Sequence, residues 1–288
     1  MPKKILIVGA SGLIGSSLFK FFSTKNDINV FGTIRSNLII KVPSNSQKNK
    51  LFTKIDLQNK NDIEKVFEQV LPDIVINCAG ITSGSKEISN YYNVITLNSL
   101  LPHYLSDLSN KFKARLIQIS TDCVFSGKKG NYIEDDYPDS NHLYGRSKSL
   151  GEITSSNAIT LRTSTIGHEV NSQKGLMEWF LSQKDSVAGY KNYIFSGLTT
   201  IEIGRIIYEY ILFNSNLVGL YHLSGNPISK FDLLLLIKKI YNKDINLMSD
   251  YKVVVNRSLD SSNFRKATGF KPKSWPLMIE EIKRFEKK

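Results

Sequence analysis

Residues 4–15 read K-I-L-I-V-G-A-S-G-L-I-G: an apolar run, then glycines at 9, 12 and 15, then a stretch of helical period reaching Thr24. A short continuous apolar run closed by glycine suits a strand buried on both faces, and the 3.6-residue period after it suits a helix packed back on the sheet. Glycine in such a loop permits a tight turn, lets the backbone approach a pyrophosphate and allows the helix to lie close to the strand. The helix N-terminus then offers free N–H groups and its positive dipole end to an anion. The spacing is not G-x-G-x-x-G, so a turn without a ligand is the alternative reading of the loop taken alone.

Working outward, further apolar runs occur at Lys4–Val8, Ile28–Ile34, Leu51–Ile55, Asp73–Asn77, Arg115–Ser120 and Ala158–Arg162. Helix-period segments lie between them, at Leu13–Thr24, Asp62–Leu71, Tyr91–Ser109 and Leu143–Thr154. This alternation predicts a doubly wound parallel α/β sheet of Rossmann type, with ligands beyond the carboxyl ends of its strands. After about residue 165 the rhythm loosens: helices are expected near Leu176–Gln183, Ile201–Leu212, Phe231–Tyr241 and Leu277–Glu286, and a strand at Gly219–Leu223. The expected division is a dinucleotide-binding domain over 1–165 and a smaller C-terminal α/β substrate lobe over 166–288, with roughly 197–224 returning to the sheet. Pro43–Lys50 reads as a polar loop, the most mobile part of the first half.

The 288 residues include 41% apolar side chains, enough for a core in a chain of this size without disulfide staples. Cys78 and Cys123, the two cysteines, sit in apolar segments far apart, which fits a reducing compartment. The apolar run after Lys3 and Lys4 is too short for a secretory signal, and no stretch approaches the roughly 18 residues of a membrane span, so a cytoplasmic protein is expected. Net charge is +12, distributed as +8 over residues 1–60, −3 over 61–229 and +7 over 230–288. Such basic ends favour anionic small molecules. Nucleic acid is not expected, because basic residues come at most in pairs and no zinc-finger or RNA-binding signature accompanies them.

An acidic residue at the end of the second strand would hold the adenosine ribose hydroxyls and repel a 2′-phosphate. None exists between Ile28 and Ile55, where Arg35 and Ser36 stand instead. Arg35 can clasp a phosphate through its planar fork, so NADPH is favoured over NADH; an ordinary solvated charge is the alternative. Asp56, with Leu57 beside it, is a candidate acceptor for the adenine amine or, equally, an N-cap for the next helix.

The fifth strand ends in I-S-T-D, placing Thr121 at the sheet's carboxyl edge, and Y-G-R-S-K sets Tyr144 and Lys148 four apart on one helix face. A phenol of pKa ~10 exchanges protons best near neutrality after its proton affinity falls by roughly 4 kcal/mol, and a nearby ammonium favours that fall. Thr121 can then hydrogen-bond a substrate carbonyl while Tyr144 protonates it, with Lys148 also within reach of the nicotinamide ribose. Y-x-x-x-K alone means little; its position after a strand ending in Ser-Thr and downstream of a glycine loop gives it weight.

Together, G-A-S-G-L-I-G, N-C-A-G at 77–80, Asn98, S-T-D at 120–122 and Y-G-R-S-K resemble the extended short-chain dehydrogenase/reductase family. Within it, S-T-D-C-V-F-S-G-K-K-G-N-Y-I-E-D-D, L-Y-G-R-S-K-S-L-G-E, L-R-T-S, S-G-L-T-T-I-E-I-G-R-I-I and G-L-Y-H-L-S-G are similar to the dTDP-4-dehydrorhamnose reductase group, so the likeness runs over most of the chain. The resemblance implies reduction of the 4-keto group of a nucleotide-linked deoxysugar in surface polysaccharide precursor synthesis. It makes Thr121, Tyr144 and Lys148 catalytic. Gly9, Ser11, Gly12, Leu13, Ile14 and Gly15 become the pyrophosphate loop, while Asn77, Ala79, Gly80 and Asn98 join Tyr144 and Lys148 around the cofactor. Asn98 would lie behind Lys148, or serve packing. Cys123, Val124 and Phe125 would flank the sugar, with Cys123 standing where the family commonly has Tyr and Ser126 where it has Asp.

Arg162 is a candidate for the diphosphate or, alternatively, a structural ion pair, and Trp179 for stacking on base or sugar or for the core. Arg257, Arg265 and Lys266 are further diphosphate candidates. Glu134, Asp135 and Asp136 suit caps and solvated charges, and His103, His142, His168 and His222 lack metal-ligand spacing, so no metal is expected. The expected partners are a nucleotide-sugar substrate and, at most, a second copy in a homodimer. An epimerase or dehydratase of the same family, or a non-catalytic NADP-binding subunit, are the rival readings.

Overall fold

The apolar runs form one wholly parallel seven-stranded sheet in the computed structural model, which describes residues 1–37, 50–155, 157–169 and 175–286. Its strands are β1 (Lys3–Val8), β2 (Ile28–Thr33), β3 (Lys50–Phe52), β4 (Ile74–Asn77), β5 (Arg115–Thr121), β6 (Ala158–Thr163) and β7 (Gly219–His222). Their order is β7-β6-β5-β4-β1-β2-β3. The chain winds outward from β1 through β2 to β3, then crosses back to β4 and winds the other way. The reversal leaves a crevice at the carboxyl ends of β1 and β4, where open α/β sheets bind ligands.

Alternate residues of β1 face opposite layers, as a strand covered on both sides requires. Ile5 and Ile7 join the cluster that includes Leu18, Phe19 and Phe22 of α1 (Leu13–Ser23). Leu6 and Val8 join the cluster built on Val66, Phe67 and Val70 of α2 (Lys60–Val70) and on Leu101, Leu105 and Leu108 of α3 (91–111). The third strand is shorter than its apolar run, and residues 43–49 of the expected polar loop lie outside the described residues.

The helix over 91–111 departs from plain α geometry in the middle. A π turn, Thr96–Leu100, joins the α segments Tyr91–Ile95 and Leu101–Lys111. That extra turn carries Asn98 and Ser99 into the interior. A π turn of this kind is common at functional sites and has no hydrophobic-period signature.

Helix α4 (Leu143–Leu150) stops at Gly151, short of the expected Thr154. A Cβ at Gly151 would stand 2.0 Å from the Asn98 carbonyl oxygen, and one at Gly145 2.1 Å from that of Cys123, so glycine lets α4 press against both the π turn and the end of β5.

Beyond β6 come α5 (Leu176–Ser182), α6 (Thr200–Ile206), α7 (Lys230–Tyr241), α8 (Ser262–Thr268) and α9 (Trp275–Glu286). Short strands between them escape period analysis. Ser186–Tyr190 pairs with Asn246–Asp250, and Tyr193–Phe195 pairs with both Ile228–Ser229 and Val255–Asn256. The strand Gly219–His222 lies beside β6 at the sheet edge. Among the described residues no helix is long and apolar enough to cross a membrane.

Candidate active site

The glycine loop occupies the crevice between β1 and β4. Gly9 has φ +84°, and a Cβ there would stand 2.9 Å from the backbone N and Cα of Ala79, the residue that leads out of β4. At Gly15 a Cβ would lie 2.2 Å from the Gly9 carbonyl oxygen. Gly12 is open by comparison and forms the N-cap of α1, with no side-chain cap and no acidic residue in the first turn. The helix start therefore keeps its N–H groups for an outside anion. Thr33, at the end of β2, fixes the loop by accepting the Gly9 N–H at 3.1 Å.

The floor of the cleft is built by two buried asparagines. Asn77 donates to Gln118 at 2.8 Å and accepts the Ala79 N–H at 3.1 Å. Asn98 accepts the Ile81 N–H, donates to the Ile81 carbonyl and donates to Ser147 Oγ at 3.0 Å. It thus ties the segment after β4 to α4, one residue from Lys148. Lys148 is buried and donates to the Ile119 carbonyl at 2.7 Å, two residues before Thr121 on β5.

Thr121 Oγ1 accepts the Cys123 N–H at 3.1 Å, lies 3.3 Å from Asp122 Oδ1 and stands near enough to the Tyr144 phenol to favour its ionised form. The structure therefore sets Thr121 beside Tyr144 at the carboxyl end of β5, with Lys148 anchored two residues back along the same strand. Their electrostatics differ from the sequence expectation. Burial pushes the Tyr144 phenol up, with Cys123 and Asp122 adding to the rise and the Thr121 hydrogen bond opposing it. Lys148 spends its ammonium on the Ile119 carbonyl, and burial pulls it down to about 8 against the attraction of Glu152 and Cys78. The phenol is held in its acid form, the form that donates a proton. Both thiols are inert at neutral pH, burial raising Cys78 and Cys123 to about 12 each.

On the cofactor side, Arg35 projects from the end of β2 with its side chain 76% exposed and pairs with Glu87 at 3.1 Å. An exposed pair of this kind is worth ~1 kcal/mol or less, so the guanidinium stays open to a stronger anion. Asp56 is not the helix cap. Asn59 caps α2 by accepting the Asn61 N–H, while Asp56 accepts the Gln58 N–H at 3.0 Å.

The substrate side needs three corrections. Val124 and Phe125 are fully buried and pack with Tyr132 and Leu259, Phe125 stacking on Tyr132 at 4.0 Å between ring centroids, so neither can flank a sugar. Arg162 is an internal ion-pair residue. Its guanidinium meets Glu152 through Nε at 2.8 Å and a terminal nitrogen at 2.7 Å, lies over the Phe125 ring and reaches the Glu134 carbonyl. Glu134 itself accepts the His222 N–H and an Asn263 amide proton, and Asp136 pairs with Lys129. Trp179, by contrast, is 37% exposed on α5 and stays open to a ligand. Cys123 is half-buried beside Tyr144.

Of the groups that the lobe contributes opposite β5, Arg257 stands among the diphosphate candidates of the sequence, whereas Tyr193 and Lys230 have no period or spacing to mark them. Arg257 donates to the Phe125 carbonyl at 2.9 Å and to the Tyr193 hydroxyl at 2.8 Å. Lys230, the first residue of α7, places its ammonium over the rings of Tyr193 and Phe195 and within electrostatic reach of Asp122 and Cys123. No hydrogen-bond acceptor among the described residues takes it. Two cations and a phenol thus stand within electrostatic reach of the Asp122–Cys123 turn that follows β5.

A family model described as RmlD substrate binding domain matches residues 3–284. The chain is 26% identical to a dTDP-4-dehydrorhamnose reductase from Aggregatibacter actinomycetemcomitans, over 98% of this chain and 99% of that one. It is 23% identical to methionine adenosyltransferase 2 subunit beta from Mus musculus, over 97% and 89%. Among solved structures, dTDP-4-dehydrorhamnose reductase from Bacillus anthracis, in complex with NADP, superposes with a TM-score of 0.79 at 20% identity, covering 99% of each chain. The chain belongs to the family described as RmlD substrate binding domain, an oxidoreductase lineage within the extended short-chain dehydrogenase/reductase family.

Proposed function

We propose that the protein is an NADPH-dependent reductase of the 4-keto group of a nucleoside-diphosphate-linked deoxysugar, of the kind used for surface polysaccharide precursors. The observation that supports this reading is Thr121 beside Tyr144 at the end of β5, with Lys148 held on the Ile119 carbonyl of the same strand, in a sheet whose topological switch point lies at β1 and β4. The division of labour follows: residues 1–165 bind the dinucleotide, and 166–288 bring the substrate lobe against it.

The residues present fit a dinucleotide. An uncapped helix start and a Gly9–Ala79 approach too close for any side chain leave room for a diphosphate, and Arg35 at the end of β2 suits a 2′-phosphate better than free ribose hydroxyls. When bound, the reduced nicotinamide supplies the hydride. Tyr144 gives its phenolic proton to the ketone oxygen as charge develops there, and Thr121 donates a second hydrogen bond to the same atom. Lys148 offsets the charge left on the phenolate and holds ribose hydroxyls. Lys230 and Arg257, on the lobe side, suit the negative charge of the substrate's diphosphate. A cytoplasmic location agrees with two free thiols, and a homodimer is compatible with the fold.

A panel of nucleotide-linked 4-keto sugars, assayed for stoichiometric consumption of NADPH and NADH, tests the reading. Tyr144→Phe is expected to keep cofactor affinity, measured by fluorescence titration, while turnover falls by about two to four orders of magnitude. The likeness to a methionine adenosyltransferase subunit favours a second reading, a cofactor-binding subunit without turnover. Unchanged properties in Tyr144→Phe, with no ketosugar consumed by the wild type, would establish that reading instead.

A further inference from the structure

Asp122 follows the catalytic threonine and is buried, yet it makes no ion pair among the described residues. Its Oδ1 lies 3.3 Å from Thr121 Oγ1, and its carboxyl also meets the Cys123 thiol. The charged groups that face it are Arg257, from the segment after Val255–Asn256, and Lys230, from α7; Tyr144 of α4 and Tyr193 of the lobe are the phenols nearby. Burial outweighs both cations and raises the carboxyl above its ordinary range.

The protonation of this neighbour decides what Thr121 can donate. The hydroxyl has one proton and two lone pairs, and the Cys123 N–H already fills one lone pair. If Asp122 is ionised, it takes the Thr121 proton, and Thr121 has nothing left to donate to a ketone. If Asp122 carries a proton, it fills the second lone pair, and the Thr121 proton must point to the remaining partner, the Tyr144 side of the cleft.

Resting on the reductase reading above, we propose that Asp122 is a positioning residue that works in its protonated form, donating to Thr121 Oγ1 and so turning the Thr121 proton out toward the substrate ketone. No covalent step is added, and the proton delivered to the ketone still comes from Tyr144. The pair acts as a hydroxyl rotor whose direction the carboxyl sets.

The test is kcat/KM against pH for NADPH and a nucleotide-linked 4-keto sugar. In the wild type, activity falls about tenfold per pH unit above a limb that lies higher than ordinary carboxylates titrate. In Asp122→Asn the fall is displaced upward, to where Tyr144 and Lys148 titrate, while NADPH affinity is unchanged. Thr121→Ala, with Asp122 intact, is slower at every pH and shows the same displacement, because the carboxyl acts only through that hydroxyl. A limb that stays in place in Asp122→Asn overturns the proposal while leaving the reductase reading intact. So does a limb that stays in Thr121→Ala, since the carboxylate would then act on substrate or cofactor directly. A wild type that reduces none of the ketosugars sinks the reaction and this role together.

Discussion

Replacing Glu152 by Ala removes the partner of a guanidinium that has almost no access to water. The Arg162 side chain is 3% exposed and that of Glu152 9%, and the pair shares two hydrogen bonds. Ser120 Oγ loses its acceptor as well, at 2.7 Å. What remains for Arg162 is the Glu134 carbonyl at 3.3 Å and the His222 ring at 3.4 Å, neither of them charged in compensation. Breaking a buried pair by deleting one member costs about 3–5 kcal/mol, because the other charge stays desolvated. With an unfolding entropy of roughly 2.1 cal/mol/K per residue, a chain of this length loses about 5–8 °C in Tm. Thermal and urea unfolding at pH 7 measure this directly. The double replacement Glu152→Met with Arg162→Met removes both charges and is expected to recover most of the loss, since apolar pairs of similar volume are often as stable. It should also leave the substrate KM within about threefold of wild type, because Arg162 does not reach the cleft. A Glu152→Ala loss under about 1 kcal/mol would refute the ion-pair argument. A substrate KM raised a hundredfold in the double variant would return Arg162 to the substrate.

His222 makes stability fall with acid. Burial and Arg162 hold its imidazole near pKa 4, against 6.5 when free, so between those values the unfolded chain binds the extra proton; stability drops as pH falls from 6.5 toward 4, by about 3 kcal/mol in all. Urea midpoints across that range should show the slope, and His222→Asn should flatten it. Gly15→Ala puts a methyl group 2.2 Å from the Gly9 carbonyl oxygen, which must move the loop that approaches the dinucleotide. NADPH affinity should fall at least about tenfold, a 1.4 kcal/mol change, with the far-ultraviolet circular dichroism unchanged; retained affinity would show that the loop tolerates the shift.

Much of the fold is legible because parallel strands buried on both faces leave continuous apolar runs that no helix face imitates. The runs around Ile5, Val30, Ile76, Leu116 and Leu161 each became a central strand. The lobe is harder to read for the opposite reason. Strands such as Tyr193–Phe195 and Ile228–Ser229 are two or three residues long and held by partners distant in sequence, so neither period nor length marks them. The π turn at Thr96–Leu100 is equally silent, since it alters the register within an otherwise ordinary helix.

In the site, positions carried by one short motif can be located from the sequence, and groups assembled across the chain cannot. Gly9, Gly12, Gly15, Thr121, Tyr144 and Lys148 belong to local patterns, and the fold brings them to one sheet edge. Val124 and Phe125 went wrong because a strand that ends at the cleft is followed by a short turn, Asp122–Val124, that swings the next side chains back into the interior. Arg162 had a local clue that the strand pattern obscured: Glu152 lies ten residues earlier, just beyond the end of α4, and its carboxylate meets the guanidinium of β6 face to face. Desolvation explains the remaining difference, in Tyr144. Spacing places an ammonium one helical turn from the phenol and suggests a lowered pKa, but it carries no information on desolvation, and the protein atoms packed around the half-buried Tyr144 raise the phenol's proton affinity. A phenol held in its acid form suits the proton-donating role proposed for Tyr144.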